Sequence, residues 1–416
     1  MKTGIKVTKN AISLIARETL NKGALFVLLI LIGRVLGKEA LGRYSLAIAI
    51  SQVFFFGTEL GLNTLLIREV ARDKLLAGKF LINIGALRVI TGALTMGFIW
   101  LTASGLGAKG EAAAVIYLCG LSYFFVNITN VYTSIFRAFE KMELELLVSL
   151  LKNIIFLPIA IWMLFNNLGL IAIFNIFLIS NTVALVIAAF IFIRKIKAPI
   201  RWEADFGFWK AQMAQTSALW FSQMFGVAYL KAAPLLLFRM KGEEAVGLYN
   251  AGFVIVDGFW VLTGCFIYSV FPVISRLSAS EARKEYLNGF KVIFAAFLIL
   301  MGIFILTAKN LVPLFYGVKF LEITPLFRLL AIASLLVALD TYNGMTIIAI
   351  RKQFLLPFIN GAGLLINLVL NVLFISRFSY FGSAYALLAS ESLIFISLFL
   401  CLRKFLLKSK EAEVLA

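Results

Sequence analysis

The chain has 416 residues, of which 62% are hydrophobic and 14% charged, with a formal net charge of +18 and no histidine. A mean hydropathy of +0.98 excludes a water-soluble globular protein of this length. The missing histidine removes the commonest general base, metal ligand and near-neutral proton switch, so an enzyme is not expected.

Apolar stretches bounded by charged or Gly/Asn-containing turns predict twelve membrane spans. The first six cover residues 11–34, 43–67, 79–103, 112–136, 147–165 and 170–193. The second six cover 211–238, 246–271, 288–307, 323–350, 354–376 and 381–402. Long runs with few charges indicate helices, because a membrane barrel would show short alternating strands with a polar lumen face. The first stretch is entered through Arg17, Glu18 and Lys22 and has no small-residue cleavage pattern, so a cleavable signal peptide is not expected. Cys119, Cys265 and Cys401 lie far apart inside apolar stretches, without metal spacing, and read as reduced structural thiols.

With an even number of spans both termini share one side. Lys and Arg concentrate at the termini and in the even-to-odd loops, which places that side in the cytoplasm. The densest cluster, Arg194, Lys195, Lys197, Arg201 and Lys210, joins span six to span seven. The net charge therefore orients the chain and meets anionic headgroups, and nucleic acid is not an expected partner. The same linker divides the chain into an N-terminal six-helix bundle, 1–197, and a C-terminal one, 198–416.

An internal repeat supports that division. Gly37-Lys38-Glu39-Ala40-Leu41-Gly42-Arg43-Tyr44 before span two echoes Gly242-Glu243-Glu244-Ala245-Val246-Gly247-Leu248-Tyr249 before span eight. A weaker echo pairs residues 138–141 with 349–352, each after the fourth span of its half.

Ionisable groups within spans mark candidate functional positions, because each is costly in hydrocarbon unless paired or facing a wet cavity. Lys152 and Arg328 lie near helix ends, where a long side chain snorkels to the headgroups. Glu18 and Lys22 are spaced for an ion pair along one helix face, which would leave Arg17 uncompensated. Asp340 and Glu391 suit either a hydrogen bond across helices or a cavity role. Arg17, Lys22, Arg88 and Lys231 are the candidate cations for an anionic substrate such as a phosphate or diphosphate. Asp257 and Glu59 are the candidate acids for pairing with them or for binding a coupling ion. Pro234, one turn beyond Lys231, is a candidate gating kink.

The chain resembles the polysaccharide transporters of the multidrug/oligosaccharidyl-lipid/polysaccharide (MOP) flippase superfamily over nearly its whole length. The most specific stretch is Gly33-Arg34-Val35-Leu36-Gly37 through Leu41-Gly42-Arg43-Tyr44-Ser45-Leu46-Ala47, with Glu59-Leu60-Gly61-Leu62 and Arg68-Glu69-Val70-Ala71-Arg72. Further matches are Phe271-Pro272-Val273-Ile274-Ser275-Arg276-Leu277, Tyr316-Gly317-Val318-Lys319-Phe320 and Pro325-Leu326-Phe327-Arg328-Leu329-Leu330.

The resemblance implies an all-α integral membrane protein of about twelve transmembrane helices, arranged as two pseudo-symmetric six-helix bundles around a central cavity that opens alternately to either side. It also implies a polyprenyl-linked oligosaccharide as cargo, moved from the cytoplasmic to the outer leaflet of the cell membrane. Membrane lipids and glycan-assembly enzymes are the other expected partners. No cofactor is expected beyond a coupling ion, H+ or Na+. The alternative is a cation-coupled exporter of drugs or metabolites, resembling the multidrug and toxin extruders. A membrane glycan polymerase or transferase is disfavoured by the short outer loops.

Overall fold

In a hydrocarbon solvent no water satisfies the backbone, so each spanning segment must close its own hydrogen bonds, and the helix is the local solution. The computed structural model describes residues 2–59, 61–196, 198, 206–274 and 279–407, and among them all regular structure is helical. Leu60, Lys197, Arg201 and residues 275–277 lie outside the described residues, as do the side chains of Lys210, Cys265 and residues 271–274.

Twelve α-helices follow in chain order: α1 (Lys2–Gly57), α2 (Leu62–Arg72), α3 (Ala77–Leu106), α4 (Gly110–Ala138), α5 (Met142–Phe165) and α6 (Gly169–Ile191), then α7 (Phe206–Lys241), α8 (Glu243–Ile274), α9 (Ala279–Tyr316), α10 (Thr324–Ala349), α11 (Leu356–Phe378) and α12 (Tyr380–Leu402). They do not map one to one onto the expected spans. α1 carries spans one and two, joined by a sharp corner at Gly37, and α2 is the detached end of span two. Eight helical stretches among the described residues are long and apolar enough to cross a membrane, and they correspond to spans three to six and nine to twelve. Spans one, two, seven and eight lie in α1, α2, α7 and α8.

The chain forms two compact units, Met1–Val227 and Ala228–Ala416. That division falls inside α7, whereas the boundary expected from the sequence lies in the basic linker before it. The first unit centres on an apolar cluster that includes Leu66, Phe80, Ile135, Phe136, Ala188 and Phe192, joining α2, α3, α4 and the α6 end. α2 fits it because Leu62, Leu65, Leu66 and Val70 recur on one helix face. In the second unit Tyr286, Ile293, Phe297, Leu339, Tyr342 and Leu402 join α9, α10 and α12. Large apolar side chains also point outwards, among them Ile154, Trp162, Leu306 and Phe358. An exterior of that kind is stable against lipid tails and would aggregate in water.

The repeat noticed in the sequence reappears in the backbone. Gly37 has φ 90° and Gly242 has φ 84°, so both echoed motifs open on a left-handed residue that favours glycine. The weaker echo repeats its turn bond by bond. Glu140 and Arg351 sit at φ 54° and 61°. Lys141 N–H bonds to Phe136 O at 2.9 Å, and Lys352 N–H bonds to Ile347 O at 2.9 Å. Both are helix ends in which an amide reaches back past the left-handed residue to satisfy a terminal carbonyl.

Close helix approach sets one steric constraint. A Cβ at Gly382 in α12 would overlap the backbone of Phe374 in α11, whereas one at Gly302 in α9 would meet nothing within 4 Å. Gly382→Leu is expected to destabilise the protein by about 1–3 kcal/mol. Gly302→Leu is expected to leave the melting temperature of the detergent-purified protein unchanged. Equal melting curves for the two variants would show that α11 and α12 do not pack this closely.

Candidate functional site

Charges inside the first unit are gathered in two polar clusters. The first lies where α4 ends and α5 begins. Glu145, on the first turns of α5, is 0% exposed and accepts two bonds from Arg137 of α4, from Nε at 2.8 Å and from Nη2 at 2.7 Å. Arg17 of α1 donates to the same carboxylate and, through its other terminal nitrogen, to Glu18. The expected Glu18–Lys22 pair is therefore not formed. A guanidinium presents several donors in a plane, so Arg17 serves two carboxylates at once, which a lysine one turn away cannot match. Lys9 adds an ion pair to Glu143 at 3.3 Å along the same α1–α5 seam.

Farther along that seam Asn153 donates to Asn21 at 2.8 Å, about 16 Å into α5 at 1.5 Å per residue. Lys22 is the next residue on α1, midway along the first span expected from the sequence, 11–34. Its side chain is exposed, and no acidic group among the described residues lies within ion-pair distance of it. Of the two candidate cations on this seam, Arg17 is ion-paired with two acids and Lys22 is left open among the described residues.

The second cluster surrounds the break between α1 and α2. Gly61 turns left-handed there, ending the regular helix of span two. Arg88 of α3 is 1% exposed and donates to Asn63 Oδ1 of α2 at 2.9 Å and to Asn127 Oδ1 of α4. Asn127 Nδ2 donates to Thr58 Oγ1 at 2.8 Å, and Asn63 Nδ2 donates to Glu59 Oε1 at 2.8 Å. Glu59 also acts on Arg88 electrostatically. The broken segment is thus tied to α3 and α4 by amides that relay between one buried cation and one acid. Arg88 stands about three turns from the start of α3, and Asn127 about three turns from the end of α4.

In the second unit Lys231 is half-buried on α7, and the group acting on it electrostatically is Asp257 of α8, which is exposed. Pro234 is buried, and α7 continues past it to Lys241 even though proline cannot donate to the carbonyl of Leu230. Arg328 donates to the Ile305 carbonyl at 3.2 Å. Asp340 of α10 and Glu391 of α12 are 8% and 5% exposed, and they meet each other.

Sequence reasoning missed Glu145, because the span-five boundary was drawn just after it. The signal was the run of oppositely charged residues, Arg137 to Glu145, across one short turn. Cys119 and Cys401 are free thiols, as expected.

Residues 7–278 match a family model described as "Polysaccharide biosynthesis protein". The chain belongs to this family. A curated relative of this polysaccharide biosynthesis family member is the capsular polysaccharide biosynthesis protein CapF of Staphylococcus aureus, 22% identical over a 387-residue alignment that covers 89% of this chain and 93% of CapF. Among solved structures, an inward-facing multidrug resistance MATE family transporter of the MOP superfamily matches with a TM-score of 0.74 at 16% identity, covering 96% of this chain and 99% of its own. The lipid II flippase MurJ in an inward closed conformation matches with a TM-score of 0.71 at 17% identity, covering 95% of this chain and 87% of its own. This family member is therefore a multi-pass, all-helical membrane protein with the two-lobed fold of MOP superfamily transporters.

Two substitutions test the clusters. Glu145→Gln strips the shared carboxylate from Arg17 and Arg137. It is expected to cost about 2 kcal/mol, below the range for a fully buried pair because both arginines keep some solvent. Arg88→Met leaves the amide oxygens of buried Asn127 and half-buried Asn63 without their donor and is expected to cost about 3 kcal/mol. Both are read from unfolding in detergent, and wild-type stability in either variant would remove that cluster from the structural framework.

Proposed function

We propose that this protein is a flippase that moves a polyprenyl-(di)phosphate-linked oligosaccharide from the cytoplasmic to the outer leaflet, for assembly of a surface polysaccharide. Family membership supports the glycan. The observation that carries the headgroup reading is Lys22, an exposed cation midway along the expected first span, with no acidic partner among the described residues. A phosphate supplies the missing anion, and an ammonium held in a low-dielectric region attracts it far more strongly than one in water.

In this reading Lys22 in the first unit and Lys231 in the second are the candidate phosphate contacts, and Arg17 and Arg88 lend positive charge from the partnered positions described above. Asp257 and Glu59 offset those charges or bind a coupling ion, H+ or Na+, and Pro234 lets α7 bend. The lipid tail stays in the bilayer while the headgroup crosses, so the cycle is conformational and the protein catalyses no bond making or breaking. The excess of Lys and Arg at the termini and in the even-to-odd loops supports a cytoplasmic membrane location with both termini inside. Enzymes that build the glycan and those that consume it on the far side are the proposed partners.

The test is a proteoliposome assay. A fluorescent polyprenyl-diphosphate oligosaccharide in the inner leaflet should become accessible to an external glycan-cleaving enzyme faster than in empty liposomes. Lys22→Ala and Lys231→Ala should each slow it at least tenfold at equal protein level. No accessibility above empty liposomes, across several glycans and with either ion gradient, would reject the reading. A cation-coupled exporter of drugs or metabolites is the second reading, favoured by the exposure of Asp257. Drug resistance on expression, abolished by Asp257→Asn, would select it.

A further inference from the structure

The second unit holds two acids where an apolar protein has least reason to keep them. Asp340 on α10 and Glu391 on α12 are 8% and 5% exposed, and their carboxyl groups interact across the packed α10–α12 faces. Both carboxylate oxygens of Asp340 are buried and meet no donor. Its neighbour offers only acceptors unless a proton stands between them. Two ionised carboxylates buried side by side between helices repel each other and have lost much of their hydration, and among the described residues no counter-charge offsets this.

Among the described residues the surroundings supply no such charge. From α7, Tyr229 faces Glu391, and from α8, Tyr249 acts on it electrostatically. Among the described residues, α9 and α11 bring no ionisable group to the pair, and Lys231 does not act on it. α11 contributes amides instead. Asn367 donates to Ser390 Oγ at 2.9 Å, and Asn371, 1% exposed, keeps a buried carbonyl oxygen without a partner.

Proton bookkeeping at Ser390 gives this arrangement two settings. The Ser390 hydroxyl has one hydrogen, and the Ala386 carbonyl lies 2.6 Å from its oxygen as an acceptor. Donating there, Ser390 accepts from Asn367 and from the Tyr229 hydroxyl, which is 2.8 Å away. Tyr229 has then spent its proton and offers Glu391 only a lone pair, an arrangement that suits a protonated Glu391. If Glu391 is ionised, Tyr229 turns its O–H towards it, and Ser390 turns its own towards Tyr229. The two hydroxyls thus have one setting for each protonation state.

We propose that Asp340 and Glu391 form a proton-binding site of the second unit, sharing a single proton that the Tyr229–Ser390 hydroxyl pair senses. The proton is held on one carboxyl and hydrogen-bonded to the other, so the pair carries one negative charge in total. Losing the proton to water leaves two charges, which requires the helices around the pair to admit water. Release is therefore tied to a conformational change. Proton binding does not depend on the cargo proposed above; the use of that proton to drive transport does.

The experiment is infrared spectroscopy of the purified protein in detergent, comparing wild type with Asp340→Asn/Glu391→Gln at neutral pH. Wild type should show a carbonyl stretch from a protonated carboxyl that the double variant lacks, and sodium ions should leave it in place. Identical spectra, or a band that sodium displaces, would overturn the proposal. If the double variant does not fold, Asp340→Asn and Glu391→Gln are examined singly. Each should shift the band, because the remaining buried carboxyl keeps the proton but now meets an amide, and an unshifted band in both would overturn the proposal. Because no transport substrate is present, failure here is distinct from failure of the flippase assay.

Discussion

Hydrocarbon cannot hydrogen-bond, and the rest of this structure follows from that fact. Backbone amides and carbonyls close on themselves in helices, and the turns that join the helices carry their own capping bonds. Apolar side chains are free to face outwards, so the exterior is no guide to the core. What distinguishes the interior is the small set of polar groups that must find partners there.

The two units solve that problem in different ways. The first sets cations against acids and amides: Glu145 between Arg17 and Arg137, and Arg88 among Asn63, Asn127 and the nearby Glu59. Its two clusters sit at a helix end and at a helix break, where backbone geometry already departs from the regular spiral. The second sets acid against acid, with hydroxyls and amides around them and, among the described residues, no cation acting on them. A charge-balanced cluster resists opening, whereas a pair of acids responds to protons, so the difference in chemistry is also a difference in what each unit can sense.

Much of the candidate site could be read from the sequence as a set of residues, though not as a set of relationships. Arg17, Lys22, Arg88, Lys231, Asp257, Asp340 and Glu391 all stood out as ionisable groups inside apolar spans. Which of them are partnered did not. Glu18 had an equally spaced claim on Lys22, yet it went to Arg17, because a buried carboxylate on another helix drew that guanidinium to the α1–α5 seam. The break in span two was equally hidden, since Gly57 and Gly61 in an apolar run fit a continuous helix as well as an interrupted one.

The sequence by itself determined that the chain lives in a membrane, that its elements are helices, and that its two halves repeat. The first two follow from hydropathy and length, which are local sums. The repeat shows because left-handed positions such as Gly37 and Gly242 constrain residue type directly, one position at a time. Only the tertiary structure decided that Arg17 is neutralised while Lys22 is open, that Arg88 braces a broken helix, and that Asp340 meets Glu391. Those outcomes depend on which faces of distant helices turn towards each other. A rotation of about 100° per residue around the helix axis carries a side chain from lipid to core without changing the hydropathy of the span.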